Sequence, residues 1–518
     1  MNEKKKAAKD VLKVLLNNMI SLFSGIMIGF VIPKIMGYDD YGYYKTFSLY
    51  YCYSSLLSFG IVDGVYLKYG GTRFSDIDPL KIKAVVLFVI ISQAVLAGIG
   101  VLTSSLFVQQ TTYGLVFIFV FLYGFLLNVK LLISSLFQAT KEFSFPAIVD
   151  SANNILNIIC IGFLYILYKN IPNCHIYFWY YCLIEISVLG IDTLCFLLAL
   201  KKRGVWIKGK QATKDTHDDI KTYISLGFPL MIANLTSGLI MTVDKQVVSI
   251  FYPVENSNIF SIFSFAYSIL ALVTTATNAI STVLFPYMTG KDINKLNSLF
   301  PKANTLILVF VSFACLIYFF LQWFVGVFLP KYNDSLVYLR TILPGLVISC
   351  SITVLMHNYY KTYKIEKIYF YQSLAILVLA IATDLITYYF YMVPMDPYNP
   401  VWLTVASDVT LFIWYIICEG YLVKHYKIQH WKNDVFSVCS CSLFLVIAFF
   451  FNGWIGFALY FFSLSVLSVL FFSPELKIGI QQVKKAVENK KRSKNENLKQ
   501  GLSENDNEKM NSKDKMGR

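Results

Sequence analysis

The chain has 518 residues, of which 56% are hydrophobic and 15% are charged. A water-soluble domain carries about 25% charged residues, so this composition excludes a soluble enzyme or binding module as the bulk of the chain. The net charge of +14 does not indicate nucleic-acid binding, because the basic residues fall between hydrophobic stretches and in the C-terminal tail.

Along the chain, about fourteen apolar stretches are each near the ~20 residues that a helix needs to cross a membrane. They predict an all-α integral membrane protein with no room for a soluble domain. The predicted transmembrane helices cover roughly residues 11–32, 43–66, 84–107, 113–137, 146–168, 177–200, 223–251, 259–288, 303–328, 336–358, 368–392, 400–423, 434–451 and 454–472.

Lys and Arg residues crowd one set of alternate connections, which includes the N-terminus, residues 201–221 and the tail from Lys477. Because basic residues are retained in cytoplasmic loops, we predict that both termini face the cytoplasm. The chain is therefore expected to cross the membrane many times. The opposite side keeps a small set of lysines: Lys34, Lys45, Lys169 and Lys331.

An internal repeat relates Ile32–Tyr51 to Val248–Tyr267, because in each a span ends, a short polar turn follows and an aromatic-rich span begins. The offset covers an even number of spans, so the repeat predicts two parallel lobes of six helices each. The predicted divisions are an N-terminal lobe (1–200), a cytoplasmic linker (201–222), a C-terminal lobe (223–425), two additional transmembrane helices (426–474) and a basic, disordered cytoplasmic tail (475–518).

Ionisable residues within the spans are the main candidates for function, because a charge at the bilayer centre is costly without a partner or a wet cavity. Lys130 lies too deep to reach the interface easily and shares a partly polar stripe with Tyr123 and Ser134. Two interpretations stay open for Lys130: it faces a lumen, or it pairs internally with a buried carboxylate.

Acidic and amide residues form further stripes at helical spacing. Glu185 and Asp192 are seven residues apart on one face of the sixth span, which favours a cavity wall with ions or protons nearby. For the more neutral stripes, hydrogen bonds between packed helices are the favoured explanation. Those stripes are Asp150, Asn154 and Asn157 in the fifth span, and Thr274, Asn278 and Ser281 in the eighth.

The seventh and tenth spans carry the remaining candidates. Helical geometry predicts that Asn234 and Lys245 share a face, whereas Asp244 lies ~100° away and serves a different partner. Arg340 precedes Pro344 by four residues, and it either faces the lumen or reaches the outer interface.

Two groups of residues carry a family resemblance. The first, within Asn17–Gly64, includes Pro33, Gly37, Tyr41-Gly42-Tyr43 and Gly60-Ile61. The second comprises Gly227-Phe228-Pro229, Asp244-Lys245, Ile259-Phe260-Ser261 and Leu284-Phe285-Pro286. These residues resemble the beginnings of the two lobes in the polysaccharide or O-antigen (Wzx-type) flippases of the multidrug, oligosaccharidyl-lipid and polysaccharide (MOP) exporter superfamily. Lys245 departs from the Arg that often stands there, so a bidentate phosphate contact is not expected.

This resemblance implies a MATE-like fold and outward movement of an oligosaccharide carried on undecaprenyl pyrophosphate across the cytoplasmic (inner) membrane of a bacterium. Lumen cations would then meet the pyrophosphate, and the candidates are Lys130, Lys245 and Arg340. The polar or ion-coupling candidates are Glu185, Asp192, Asp244, Asp150, Asn154, Asn234 and Asn278. The partners implied are the lipid-linked oligosaccharide, membrane lipids, H⁺ or Na⁺, and a polysaccharide polymerase complex.

Enzymatic chemistry is not indicated, because the histidines show no metal or triad spacing and no Walker A pattern occurs. We therefore expect neither a cofactor nor a metal. One alternative is a MATE-like multidrug or cation antiporter, which Glu185 and Asp192 favour through an acidic lumen. The other is a membrane polysaccharide polymerase or glycosyltransferase, which would require a large outer loop or a soluble acidic site.

Overall fold

The computed structural model describes residues 3–108, 111–171, 174–206, 209, 213–288, 292–428 and 431–472, and it leaves out the side chains of 3–15, 213–214 and 276–287. The predicted tail at 475–518 and the side chain of Asn278 lie outside this description. Within the described ranges the regular structure is entirely helical.

The helices run as follows: α1 Glu3–Ile35, α2 Tyr38–Tyr51, α3 Ile61–Tyr69, α4 Pro79–Ser105, α5 Thr112–Ala139, α6 Ser144–Asn170, α7 Phe178–Lys202, α8 Thr213–Ile240, α9 Val243–Phe251, α10 Ile259–Met288, α11 Ile293–Phe328, α12 Ser335–Thr362, α13 Glu366–Met395, α14 Val401–Tyr426, α15 Trp431–Phe450 and α16 Gly453–Phe472. In the described part of the chain, 12 segments have the length and hydropathy of a membrane-crossing helix. The predicted spans at 43–66 and 259–288 fall on α2–α3 and on α10, so the predicted all-α membrane fold is confirmed and the count of fourteen is approximate.

The span formed by α2 and α3 is broken in its middle. Residues Cys52–Ser58 form a 3₁₀ helix, and Phe59 and Gly60 follow with φ of 49° and 79°. Non-helical backbone inside a membrane needs hydrogen bonds from protein. Gln93 Nε2 donates to the Leu57 carbonyl at 2.6 Å, and Asn128 Nδ2 donates to the Ser54 carbonyl at 2.8 Å. Buried amides of α4 and α5 therefore stabilise the break.

Two bundles are defined by helix packing. In the N-terminal bundle, α1 packs on α6 and α5 packs on both α4 and α7. In the C-terminal bundle, α14 packs on α12 and α13, α8 packs on α13, and α15 covers α11 and α12. The bundles meet where α1 and α2 contact α10 and where α3 contacts α8. The predicted lobe and linker boundaries stay a prediction.

Candidate functional site

Two buried lysines lie near each other, one on α2 of the N-terminal bundle and one on α9, which packs on α10, α13 and α14 of the C-terminal bundle. Lys45 on α2 is 7% exposed and Lys245 on α9 is 9% exposed, and the two are close enough for their charges to repel each other. The Nζ atom of Lys45 lies 5.2 Å from the ring centre of Tyr41 and 5.1 Å from that of Tyr44. Among the described side chains, neither ammonium group has an ion pair or a hydrogen bond.

The break between α8 and α9 places Lys245 at this position. α8 ends at Ile240 and α9 begins at Val243, with Thr242 at φ −140°. The single face predicted for Asn234 and Lys245 is wrong, because it assumes one continuous helix. Asn234 is exposed, whereas Lys245 is turned into the interior.

Lys45 is a functional candidate that the sequence did not reveal. We predicted it among the few lysines of the outer connections, but it lies within α2 and is buried. The one sequence signal is the run of tyrosines around it, since cation–π contacts hold a lysine in a desolvated position.

Lys130 lies in an ion-pair cluster inside the N-terminal bundle. Its Nζ atom is 2.7 Å from Asp150 Oδ1 and 3.3 Å from Asp192 Oδ2, and Asn153 Nδ2 donates to Asp192 at 3.3 Å. The neighbouring Asn154 is half-buried, without a hydrogen bond among the described side chains. Of the two interpretations left open for Lys130, this geometry is that of the internal ion pair.

Arg340 is not brought to the lysine pair. Its guanidinium carbon lies 3.6 Å from the ring centre of Phe449 on α15, and the Phe449 side chain is itself 53% exposed. Stacking on a ring of this kind accounts for a cation away from the bundle interface. Substrate contact by Arg340 stays a prediction.

Glu185 and Asp192 both lie on α7 but serve different clusters. Asp192 contacts Lys130, whereas Glu185 Oε1 accepts a hydrogen bond from the Tyr44 hydroxyl at 3.3 Å. The second oxygen, Oε2, is buried without a hydrogen-bond partner in the described residues. Glu185 therefore lies next to Lys45 and has spare capacity to accept a hydrogen bond.

Three aspartates lie close together in the C-terminal bundle: Asp244 on α9, Asp384 on α13 and Asp408 on α14. Asp244 accepts hydrogen bonds from the Tyr267 hydroxyl and, at 2.7 Å, from the Lys245 backbone N–H. Both Asp384 carboxylate oxygens are buried without a hydrogen-bond partner in the described residues.

A cavity of about 20 Å³ is lined by Asp244, Asp408 and Ser407, and one water molecule needs about 10–15 Å³. The cavity therefore accommodates one small polar species. Among the described residues, no group of three or more His, Cys, Asp or Glu side chains has an arrangement that holds a metal ion.

On the side away from the basic connections, which we call the opposite side, the bundles are joined by a reciprocal lysine contact. Lys34 Nζ, near the end of α1, donates to the Phe328 carbonyl at 2.5 Å, and Phe328 is the last residue of α11. Lys331 Nζ, just after α11, donates to the Met36 carbonyl at 2.5 Å, just after α1. Each lysine lies at the negative end of a helix dipole from the other bundle, which favours this closed contact.

On the basic side, α3 and α8 meet with almost no space between their backbones. A Cβ atom added to Gly64 would lie 1.9 Å from the Tyr223 carbonyl oxygen, and one added to Gly227 would lie 2.0 Å from the Gly60 carbonyl oxygen. The hydroxyls of Tyr69 and Tyr223 share a hydrogen bond of 2.7 Å nearby. The lysine pair is thus enclosed between two closures.

Comparison with solved structures gives the class of this fold. The structure of "Lipid II flippase MurJ, inward closed conformation" is similar at a TM-score of 0.65 and 16% identity, covering 91% of this chain and 100% of that one. An outward-facing MATE-family multidrug resistance transporter of the MOP superfamily matches at 0.54 and 12% identity, over 81% and 97%. A mutant of the Vibrio cholerae MATE transporter VcmN matches at 0.53 and 11%, over 83% and 100%.

These similarities show that the chain has a fold like those of MurJ and the MATE transporters, and the predicted MATE-like fold is confirmed. No protein-family model matches the chain, and no curated protein sequence does. The Wzx-type subfamily stays a prediction.

Proposed function

We propose that the protein is a flippase that moves oligosaccharide repeat units linked to undecaprenyl pyrophosphate across the membrane for surface polysaccharide synthesis. The observation that carries this proposal is the buried lysine pair, Lys45 and Lys245, between the two bundles. A structural neighbour whose name assigns it a lipid-linked substrate, a lipid II flippase, supports the same class.

The physical argument is the cost of two like charges that are buried together. Each desolvated ammonium needs an opposite charge, and none of the described carboxylates forms an ion pair with either lysine. A diphosphate carries the negative charge that would neutralise both. An ammonium–phosphate contact at about 4 Å is worth about 4 kcal/mol at an effective dielectric constant near 20.

The contacts that close the protein on the basic side and on the opposite side define the route of the substrate through the membrane. Because Lys45 moves with the N-terminal bundle and Lys245 with the C-terminal bundle, separating α3 from α8 opens the pair to the basic side. Breaking the contacts of Lys34 and Lys331 opens it to the opposite side. We propose that both termini face the cytoplasm of a bacterium, so that the substrate enters from the basic side.

The second candidate function is a MATE-like cation antiporter, and the aspartate cluster around Asp244 is the observation that favours it. In the proposed flippase the same cluster takes up a proton during the cycle, and uptake of Na⁺ stays a prediction. Direct contacts of Lys130 with the diphosphate, and a complex with a polysaccharide polymerase, stay predictions.

The test is complementation of a deletion strain, with surface glycan and accumulated lipid-linked precursor as the measurements. We expect Lys45→Gln and Lys245→Gln each to lower surface glycan, and Arg at either position to retain most of it. Lys169→Gln, which changes an exposed lysine on the opposite side, is the matched control for charge. Normal glycan display with both lysines changed to Gln, at normal protein levels, would refute the proposed mechanism.

A further inference from the structure

Beside the lysine pair, the N-terminal bundle presents an acidic group within a wall of tyrosines. Tyr44 links the two features, because its ring lies 5.1 Å from Lys45 Nζ and its hydroxyl donates to Glu185 Oε1 at 3.3 Å. The other carboxylate oxygen of Glu185 is buried and accepts no hydrogen bond within normal distance from the described residues. The nearby Tyr181 hydroxyl interacts with the carboxylate but donates its hydrogen bond to Asn157 Oδ1 at 3.3 Å. A buried carboxylate oxygen without a partner is costly, and a ligand hydroxyl or amide N–H would satisfy it.

The rings around Glu185 form an aromatic cluster in which Tyr44 and Tyr181 are buried. Tyr181 meets Tyr44 edge to face, with ring centres 5.0 Å apart and planes at 76°. Tyr51 and Tyr123 lie against each other at 4.5 Å, and both are within electrostatic range of Glu185. Tyrosine combines an apolar face with a hydroxyl, so the wall offers both stacking and hydrogen bonding.

The spacing fits a sugar joined directly to a diphosphate. Lys45 and Glu185 are farther apart than an ion pair allows, since they form none in the described structure, yet their charges still interact. A single tyrosine side chain spans the gap between them. The separation of Lys45 and Glu185 is therefore about the length of one ring, so a sugar joined to a phosphate on Lys45 would reach Glu185 by taking the place of the Tyr44 ring.

We propose that Glu185, with the tyrosine wall around it, is a sugar-binding subsite that accepts hydrogen bonds from the sugar residue joined to the diphosphate. This inference rests on the proposed function, and it adds that the protein distinguishes substrates by that first sugar. A site built to hydrogen-bond a hydroxyl discriminates strongly against a ligand that lacks it.

A purely electrostatic role for Glu185 makes the opposite prediction. If the carboxylate only offsets the charge of Lys45, removing it would change the binding of every diphosphate alike, with or without a sugar. The comparison of two probes, undecaprenyl diphosphate and undecaprenyl diphosphate-linked N-acetylglucosamine, separates the two roles.

The experiment measures binding of both probes to the purified full chain by ligand-dependent fluorescence, for the unchanged protein and three variants. For Glu185→Ala we expect binding of the sugar-bearing probe to weaken about tenfold or more, as for a lost hydrogen bond to a charged group, while the sugar-free probe keeps or gains affinity. Glu185→Gln retains one acceptor and should fall between. Glu255→Gln changes an exposed acid on the turn before α10 and should leave both affinities unchanged.

Equal changes in both affinities, or none, for Glu185→Ala would overturn the subsite and leave the diphosphate site standing. If the unchanged protein binds neither probe, the proposed function fails and the subsite fails with it. Thermal unfolding of each variant shows whether a loss of binding reflects a loss of folding.

Discussion

Replacing Gly64 by Ala tests the closure on the basic side. The added Cβ would lie 1.9 Å from the Tyr223 carbonyl oxygen, whereas ordinary carbon–oxygen contacts are about 3.4 Å or more. Because the obstacle is backbone, α3 and α8 must separate by about 1.5 Å, and overpacking of this kind costs about 1–3 kcal/mol. Only the conformation in which α3 contacts α8 carries this cost, so the equilibrium should shift toward opening on the basic side by about 5- to 150-fold.

Cys52 gives the measurement, because it lies within electrostatic range of Lys245, which the two closures enclose, and has surface that a reagent reaches once a closure opens. In a chain with Cys52 as its only cysteine, Gly64→Ala should speed labelling by an impermeant maleimide added on the basic side. Gly162→Ala is the matched control, since its Cβ would meet nothing within 4 Å; it should leave labelling unchanged and raise stability by about 0.5–1 kcal/mol. Unchanged labelling of Gly64→Ala, with normal folding, would show that α3 and α8 do not form the closure.

Three further variants test the other contacts. The double variant Lys34→Met and Lys331→Met should speed labelling of Cys52 by a maleimide added on the opposite side, because each lysine loses about 0.3–1 kcal/mol of interaction with a helix end. Slower or equal labelling would show that these contacts do not close the opposite side. Lys130→Met leaves two carboxylates unpaired and should destabilise the protein by about 3–5 kcal/mol, seen as a lower thermal unfolding temperature. We expect transport in proteoliposomes to depend on pH and Asp384→Asn to abolish that dependence. If the variant keeps the pH dependence, the aspartate cluster does not couple proton uptake to transport.

Hydropathy was sufficient to predict the all-α membrane class, but not the breaks within spans at 52–60 and 241–242. The break before Gly60 has a local signal, since glycine adopts positive φ readily. The break at 241–242 contains neither Gly nor Pro, so nothing in the sequence marks it. The prediction that Asn234 and Lys245 share a helix face is wrong for this reason, because helical periodicity holds only within a continuous helix.

The candidate site was likewise only partly predictable from the sequence. A pairing of Lys130 with a buried carboxylate was one of the two interpretations drawn from depth in the membrane alone. Lys45 was missed because α2 is covered in part by α7 and α10, whose residues are more than a hundred positions away in the chain. The proximity of Asp384 and Asp408 to Asp244 likewise depends on tertiary packing, which the spacing of residues along one helix does not predict.

The lysine pair also bears on the energy source of the proposed cycle. If Lys45 and Lys245 neutralise the diphosphate in transit, the loaded step moves little net charge, and the empty return exposes two positive charges to the field. The diphosphate still leaves the cytoplasm over the whole cycle, so a potential that is negative inside contributes about 2.3 kcal/mol per charge per 100 mV in either case. In the proposed cycle, export therefore needs no obligatory ion.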